Sequence, residues 1–408
     1  MQKRILTEYK LLKIMKMNVF NRCCLILVIL MGLISCNKNT DLNCSTFMLK
    51  NGKTIFVGHN LDEDPKLHVP GMVCINKRGI SREGITWYEL ISDPPDFEKV
   101  LIPYEEKKEP KIKWTSKYGS VTFNSEGLDF PDGGINERGL SIFEMSMGET
   151  KFTTDSTKPT LFITLWIQFQ LDNYSSVDEV LTNISDINQQ GWSWHYFISD
   201  RSGDYAIVEY INGEIYIYKD NNAPHPILCN LAYEREINGL KDYDGISGRI
   251  KSFIFTPPRF VRGVKLLKEF RPEDQSSTKD YAFEILDNIK VNGWNKWGIL
   301  IDVSEMVIYY HTNKNRELKY FSINQCDFSA GTPTKMLDMY KNDISGNVIS
   351  YFEDYSYNKN YDHNLERAKH LFKERFYGLI DNGVPPEVYA KRFADYSSRM
   401  RTDPLNLN

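Results

Sequence analysis

The chain has 408 residues, a formal net charge of −4, 41% hydrophobic residues and 25% charged residues. That length accommodates one large core or two ordinary ones, and the composition is that of a globular protein. The slight acidic balance argues against a nucleic-acid binder, which normally carries a basic excess.

The first 36 residues differ from the rest. Lys3, Arg4, Lys10, Lys13, Lys16 and Arg22 precede the apolar run "CCLILVILMGLIS" from Cys23 to Ser35. A basic segment followed by a short apolar one reads as an export signal rather than a spanning helix. Leu33-Ile34-Ser35-Cys36 resembles a bacterial lipoprotein box, which makes Cys36 a lipidation candidate and 37–43 a short propeptide or linker. The protein is therefore expected in the periplasm or cell envelope, with a membrane anchor if Cys36 is acylated. Cys44, Cys74, Cys229 and Cys326 follow without the spacing of a disulfide framework or a metal site.

Next come "STFMLK" and "KTIFVGH", flanking Asn51-Gly52. Asn-Gly between apolar-rich runs predicts a two-residue hairpin loop, because both positions tolerate positive φ. Lys50 then pairs with Lys53, and paired positions sum to 103. Cys44 falls opposite His59, with Asp62 just past the strand end. A thiol, an imidazole and a carboxylate thus meet at one end of a sheet.

Residues 71–145 read as strands and loops, with "GGINERGLSIFEMSM" a glycine-rich turn entering a strand. "LFITLWIQFQLD" predicts a buried helix, and "SSVDEVLTNIS" a second one with Ser176 and Glu179 in capping-box spacing. "WHYFISD", "YAIVEY" and "EIYIYK" are strands, the last two joined by Asn212-Gly213. The loop "ILCNLAYE" leads to a helix after Pro257-Pro258, a helix over "KDYAFEILDNI" and strands over "GILIDVSEMVIYYHT" and "LKYFSI". The order predicts an α+β fold with antiparallel sheets. A helical C-terminal extension is expected over 328–408, with a stop at Gly383 and a break at Pro385-Pro386.

Cys44 has one distinctive chemical possibility. Cutting Asn43–Cys44 would free an α-amino group with an ordinary pKa of about 7.7–8.0, so one residue would supply nucleophile and base. "NCSTFMLKNGKTIFVGHNLDED" resembles the opening of the choloylglycine hydrolase and penicillin V acylase family, which are N-terminal-nucleophile hydrolases of linear amides. The family's Gly-Arg-Asn-x-Asp motif reads Gly58-His59-Asn60-Leu61-Asp62 here. "GGINERGLSI", "LCNLAYE" and "PPRFVR" follow in the family's order.

The resemblance implies a four-layer αββα sandwich over 44–327, no cofactor or metal, and a small N-acyl amide substrate cleaved through a thioester. It also implies roles for four residues. Cys44 is nucleophile and base, Asp62 orients its amine, Asn230 donates to the oxyanion, and Arg259 positions and stabilises charge. A backbone N–H near Ser146 completes the oxyanion site. Relatives are often tetramers, so a homo-oligomer is an expectation. His59 departs from the family arginine and lacks its permanent charge and donor fork, which predicts weaker or more pH-dependent activity, or another substrate. Trp114, Tyr118, Phe143, Trp192 and Trp194 are aromatic candidates for an acyl pocket. The competing reading is a catalytically inactive, lipid-anchored binding protein on the same fold. It holds if Cys36 stays the terminus and Cys44 keeps its peptide bond.

Overall fold

In the computed structural model the described residues are 44–92, 110–274, 277–373, 385–399 and 401–402. The expected export signal, Cys36, the expected 37–43 propeptide or linker and the expected Gly383 stop lie outside them.

Two large sheets organise the chain. The first has seven strands in the order Ile227–Leu228, Ser45–Asn51, Thr54–Asp62, Asn295–Asp302, Val307–Thr312, Lys319–Ser322 and Gly346–Asn347. The second has nine and is antiparallel throughout. Its centre is Ser120–Asn124, Gly133–Asn136, Ser141–Ser146 and Trp194–Ser199.

The sheets face each other across one core that contains Phe47, Val57, Phe123, Phe143, Phe197 and Ile299. Helices Arg259–Glu269 and Thr278–Ile289 cover the outer face of the first sheet, and Ile163–Asn173 covers that of the second. These layers make an α+β fold, helix–sheet–sheet–helix, the four-layer sandwich that the resemblance implies.

The predicted helices form for the reasons read from the sequence. Ile163–Asn173 is buried almost all round. Ser176 caps Val177–Thr182 by accepting from the Glu179 N–H. Glu179 reaches back to the Ser175 N–H, one residue before the cap.

The two Asn-Gly turns behave differently. Asn212 and Gly213 have φ of 55° and 81°, and Ile211 pairs with Glu214, as a loop on those two residues requires. In the first hairpin the loop is Gly52-Lys53, Asn51 pairs with Thr54, and only Gly52 has positive φ, 59°. Glycine in the first loop position with positive φ is the type II′ choice. Pairs therefore sum to 105, and Thr46, not Cys44, lies opposite His59. Further along this hairpin Phe47 pairs with Gly58, where a Cβ would sit 2.2 Å from the Phe47 ring. Only glycine permits that close approach.

The tail also differs from an all-helical extension. Lys335–Asp338 pairs with Met72–Asn76, Glu353–Asp354 adds to its free edge, and Gly346–Asn347 joins the other sheet. Hydrogen bonding of these short segments outweighs their weak strand patterning. Helices begin at Tyr357, as Tyr357–Lys373 and Pro386–Arg399.

Candidate active site

The first hairpin presents two chemically distinct faces. Ser45, Asn60 and Asp62 look toward the helices. The Ser45 hydroxyl donates to the Ile289 carbonyl, and the Asn60 amide to that of Leu286. Cys44 and His59 look toward the second sheet, where the His59 ring stacks on Phe143 at 4.6 Å.

Asp62 is 1% exposed, yet both its oxygens are engaged. Oδ2 accepts from the Val291 N–H at 2.8 Å and Oδ1 from Asn295 Nδ2 at 2.9 Å. Burial pushes its pKa up to about 7, against the pull of Arg259 and these hydrogen bonds.

Arg259 opens its helix directly after Pro257-Pro258. A cation at a helix N-terminus opposes the helix dipole, so its place needs compensation. Its acceptors supply it: Nη1 donates to the Cys44 carbonyl at 2.9 Å, Nη2 to Asn230 Oδ1 at 2.6 Å, and Asp62 Oδ2 lies 3.8 Å away. One guanidinium thus touches all three other predicted site residues.

Asn230 follows the edge strand Ile227–Leu228. The preceding Cys229 carbonyl hydrogen-bonds to His195 Nε2 at 2.8 Å, and the other ring nitrogen of His195 meets buried Glu209 at 2.9 Å. With Oδ1 held by Arg259, the Asn230 amide nitrogen must point away from the guanidinium. It donates one hydrogen to the Ser146 carbonyl at 2.8 Å, and an amide nitrogen carries a second.

The Cys44 sulfur is 3.8 Å from Glu144 Oε1. Burial raises its pKa well above the ordinary value, and Glu144 and Asp62 raise it further, while the Asp62 N–H acts in the opposite direction. Cys229 is also buried and pushed up to about 12. Thiol acidity therefore does not single out Cys44; its neighbours do. No disulfide joins any of the four described cysteines.

A cavity of about 350 Å³ opens beside Cys44, within the size range of small-molecule sites. Trp192 and Trp194 line it, whereas Trp114 is buried in another core, donating to Asp172 at 2.7 Å, and Phe143 packs on His59. Tyr118 lies against Lys117.

His59 does not join the thiol and carboxylate. Its Nδ1 hydrogen-bonds with Thr46 Oγ1 at 2.9 Å, and burial lowers its pKa to about 3. It is neutral across the physiological range, which removes it as a source of pH dependence near neutrality. The Asn136-Glu137-Arg138-Gly139-Leu140 motif is architectural: Asn136 Oδ1 accepts from Arg138 and Leu140 N–H groups around Gly139, whose φ is 91°.

Sequence reasoning missed Glu63, Asp132, Glu144 and Arg367 in the cavity wall, and Asn295 beneath Asp62. Glu144 carried a readable mark, a carboxylate inside the apolar strand "SIFEMS". Arg367, on a helix rich in surface charge, carried none.

The family model described as linear amide C–N hydrolases, choloylglycine hydrolase family, matches residues 98–347. That span takes in Ser146, Asn230 and Arg259 and starts downstream of Cys44 and Asp62. A penicillin V acylase from Pectobacterium atrosepticum is 23% identical over 291 residues, covering 59% of this chain and 77% of the relative.

Two solved structures share the fold. The penicillin V acylase of Agrobacterium tumefaciens superposes with a TM-score of 0.62 at 21% identity, over 77% of this chain and 98% of that one. A conjugated bile acid hydrolase variant from Clostridium perfringens gives 0.55 at 16%, over 72% and 97%. With the family model matched over more than half of its residues, this chain belongs to the choloylglycine hydrolase family of linear amide C–N hydrolases.

Proposed function

We propose that the protein is an exported cysteine amidohydrolase of small N-acyl amides, with Cys44 as an N-terminal nucleophile exposed by cleavage after Asn43. The observation that carries this reading is the Arg259 guanidinium, which gathers Cys44, Asn230 and Asp62 around one point.

In the reaction the freed α-amine of Cys44 takes the thiol proton, and the sulfur attacks the amide carbon. The oxyanion of the tetrahedral intermediate is met by the second Asn230 amide hydrogen and the Ser146 N–H. Strand geometry supports the second donor. The Glu144 N–H is taken by the Asp132 carbonyl and that of Met147 by Ser193. By alternation the Ser146 N–H shares the edge of its own carbonyl, which Asn230 already reaches. The C–N bond then breaks, the departing amine takes a proton from the Cys44 ammonium, and water hydrolyses the thioester to acid and thiol.

Asp62 suits the role of ammonium partner. Continuing the register sets Cys44 opposite Leu61, one residue from Asp62. An ammonium there would offset the burial cost of the carboxylate.

The test is the N-terminal mass of protein recovered from its exporting host, with amine release from an amide panel. A chain starting at Cys44, and loss of turnover in a folded Cys44→Ala variant, are the expected results. A mature, active chain starting at Cys36, or unchanged turnover in the variant, would sink the mechanism. The Cys36 lipid anchor is a separate part of the proposal, tested by metabolic labelling with a fatty acid.

A further inference from the structure

The cavity beside Cys44 is unusually rich in carboxyl groups. Glu63, Asp132 and Glu144 line it together with Cys44, Trp192 and Trp194. Arg367, from the helix Tyr357–Lys373, is the cation on this wall, and it is committed to an ion pair. Its Nε lies 3.1 Å from Glu126 Oε1, both side chains are buried, and the Tyr389 hydroxyl donates to the other Glu126 oxygen at 2.9 Å. The Arg367 charge also favours the ionised forms of Glu63 and Asp132, and against four lining carboxyls the wall stays acidic on balance.

Besides Asp62, whose oxygens are both bonded, its carboxyls are not equally satisfied. Asp132 accepts from both the N–H and the hydroxyl of Ser125, at 2.6 and 2.9 Å. Glu63 accepts from the Asp64 N–H at 3.2 Å. Glu144 is 3% exposed, and its Oε2 has no hydrogen-bond partner among the described residues. Glu144 lines the cavity, and a buried carboxyl oxygen left without a donor beside such a space is a place where a ligand's donor can be accepted. Mutual repulsion among Asp132, Glu63 and Glu144 adds to burial in raising the Glu144 pKa well above the ordinary value, so a positive charge arriving here is favoured.

Trp194 pairs with Ser146 on the adjacent strand, so its side chain shares the sheet face of Glu144, and the lining there is aromatic. Trp192 and Trp194 meet at 5.4 Å between centroids with planes 50° apart, forming a corner. Aromatic faces together with carboxylates are the chemistry that holds organic cations. No group of three or more His, Cys, Asp or Glu among the described residues is arranged to hold a metal ion.

We propose that this cavity receives a substrate group bearing an aliphatic ammonium within a few bonds of the scissile carbonyl, held between Glu144 and the Trp192–Trp194 corner. The closeness of Glu144 to the nucleophile, 3.8 Å from sulfur, sets the short spacing. The inference rests on the amidohydrolase reading for what is cleaved, but not for what is bound.

The test uses isosteric pairs on the full mature chain. Turnover of 4-aminobutanoyl 4-nitroanilide is compared with that of pentanoyl 4-nitroanilide, which replaces the ammonium by methyl. Binding of 4-aminobutanamide and pentanamide to the Cys44→Ala variant is compared by calorimetry. The ammonium member should be preferred by about tenfold or more in each assay. The preference should collapse in Glu144→Gln and shrink in Glu63→Gln, with folding of both variants checked by thermal melts.

Equal or better performance of the methyl member in both assays would overturn the proposal. So would a preference that survives both substitutions in folded protein. If neither anilide is turned over but Cys44→Ala still binds the ammonium amide preferentially, the cation site stands and the amidohydrolase reading is what falls.

Discussion

The two faces of the Ser45–Asn51 and Thr54–Asp62 hairpin solve the same problem, buried polar groups, in opposite ways. Toward the helices, Asp62 has both oxygens bonded, Asn60 donates to a helix carbonyl, and Arg259 ties the face to Asn230. The exception is Asn295 Oδ1, which has no partner among the described residues. Toward the second sheet, His59 Nε2 and Glu144 Oε2 have none, and the cavity lies beside Cys44. A nearly saturated network fixes geometry, while an unsaturated one leaves valence for a ligand. The difference assigns positioning to one face and recognition to the other.

The strongest way to break this contrast is Arg259→Leu. It leaves a buried carboxylate and two acceptors without their cation, which should cost about 3 kcal/mol of stability in chemical denaturation. Amide turnover should fall further than in any other variant of this face. Arg259→Lys should rescue little, because a lysine cannot span Cys44 and Asn230 with one planar fork.

Asn230→Leu comes next. Removing one oxyanion donor lowers kcat by about 10²-fold or more, with a modest change in KM. If kcat were unchanged while KM rose, Asn230 would be a binding residue instead.

Glu144→Gln sharpens the contrast through stability. The Glu144 pKa is raised in the folded state, so its favourable contribution is present at low pH and is lost as pH climbs above the ordinary carboxylate range. Gln removes that loss. The variant should therefore gain stability relative to wild type between about pH 5 and pH 8, at up to about 1.4 kcal/mol per pH unit. Denaturant melts at the two pH values read this directly, and a difference independent of pH would contradict it.

His59→Asn should have the smallest effect at neutral pH and the opposite pH dependence. A folded pKa of about 3 means the unfolded chain gains a proton below about pH 6.5 that the folded ring refuses. The variant should gain ground on wild type only as pH falls from about 6.5, and the neutral part of the pH–rate profile should not move. Ring NMR showing His59 protonated at about pH 6 would refute this.

How far the sequence could be read depended on the range of the interactions involved. Asn212-Gly213 folded where the local rule put it, and Arg259 brings Cys44, Asp62 and Asn230 together. The roles of these four rest on the family resemblance, because lone polar residues in loops look alike until something bridges them. The first hairpin turned one residue late, since Gly52 satisfies either turn type and the pairing with Asn295–Asp302 also bears on the register. Glu144 was visible as a carboxylate in an apolar strand, but its meaning depends on Asp132 folding beside it, with the Glu144 N–H on the Asp132 carbonyl at 3.1 Å. Arg367 reaches the cavity from the helix Tyr357–Lys373, far along the chain, and no local pattern encodes such a contact.

The late turn at Gly52-Lys53 has a consequence for how this hairpin tolerates change. Its pairing sum moved from 103 to 105, an even step, so each side chain kept its side of the sheet while its partner changed. An odd step would turn one strand over, sending either the Cys44 thiol to the helices or the Asp62 carboxylate between the sheets. Turn substitutions that slip the pairing by an even number should therefore be survivable, and those that slip it by an odd number should not. The hairpin behaves as a parity check on its own register.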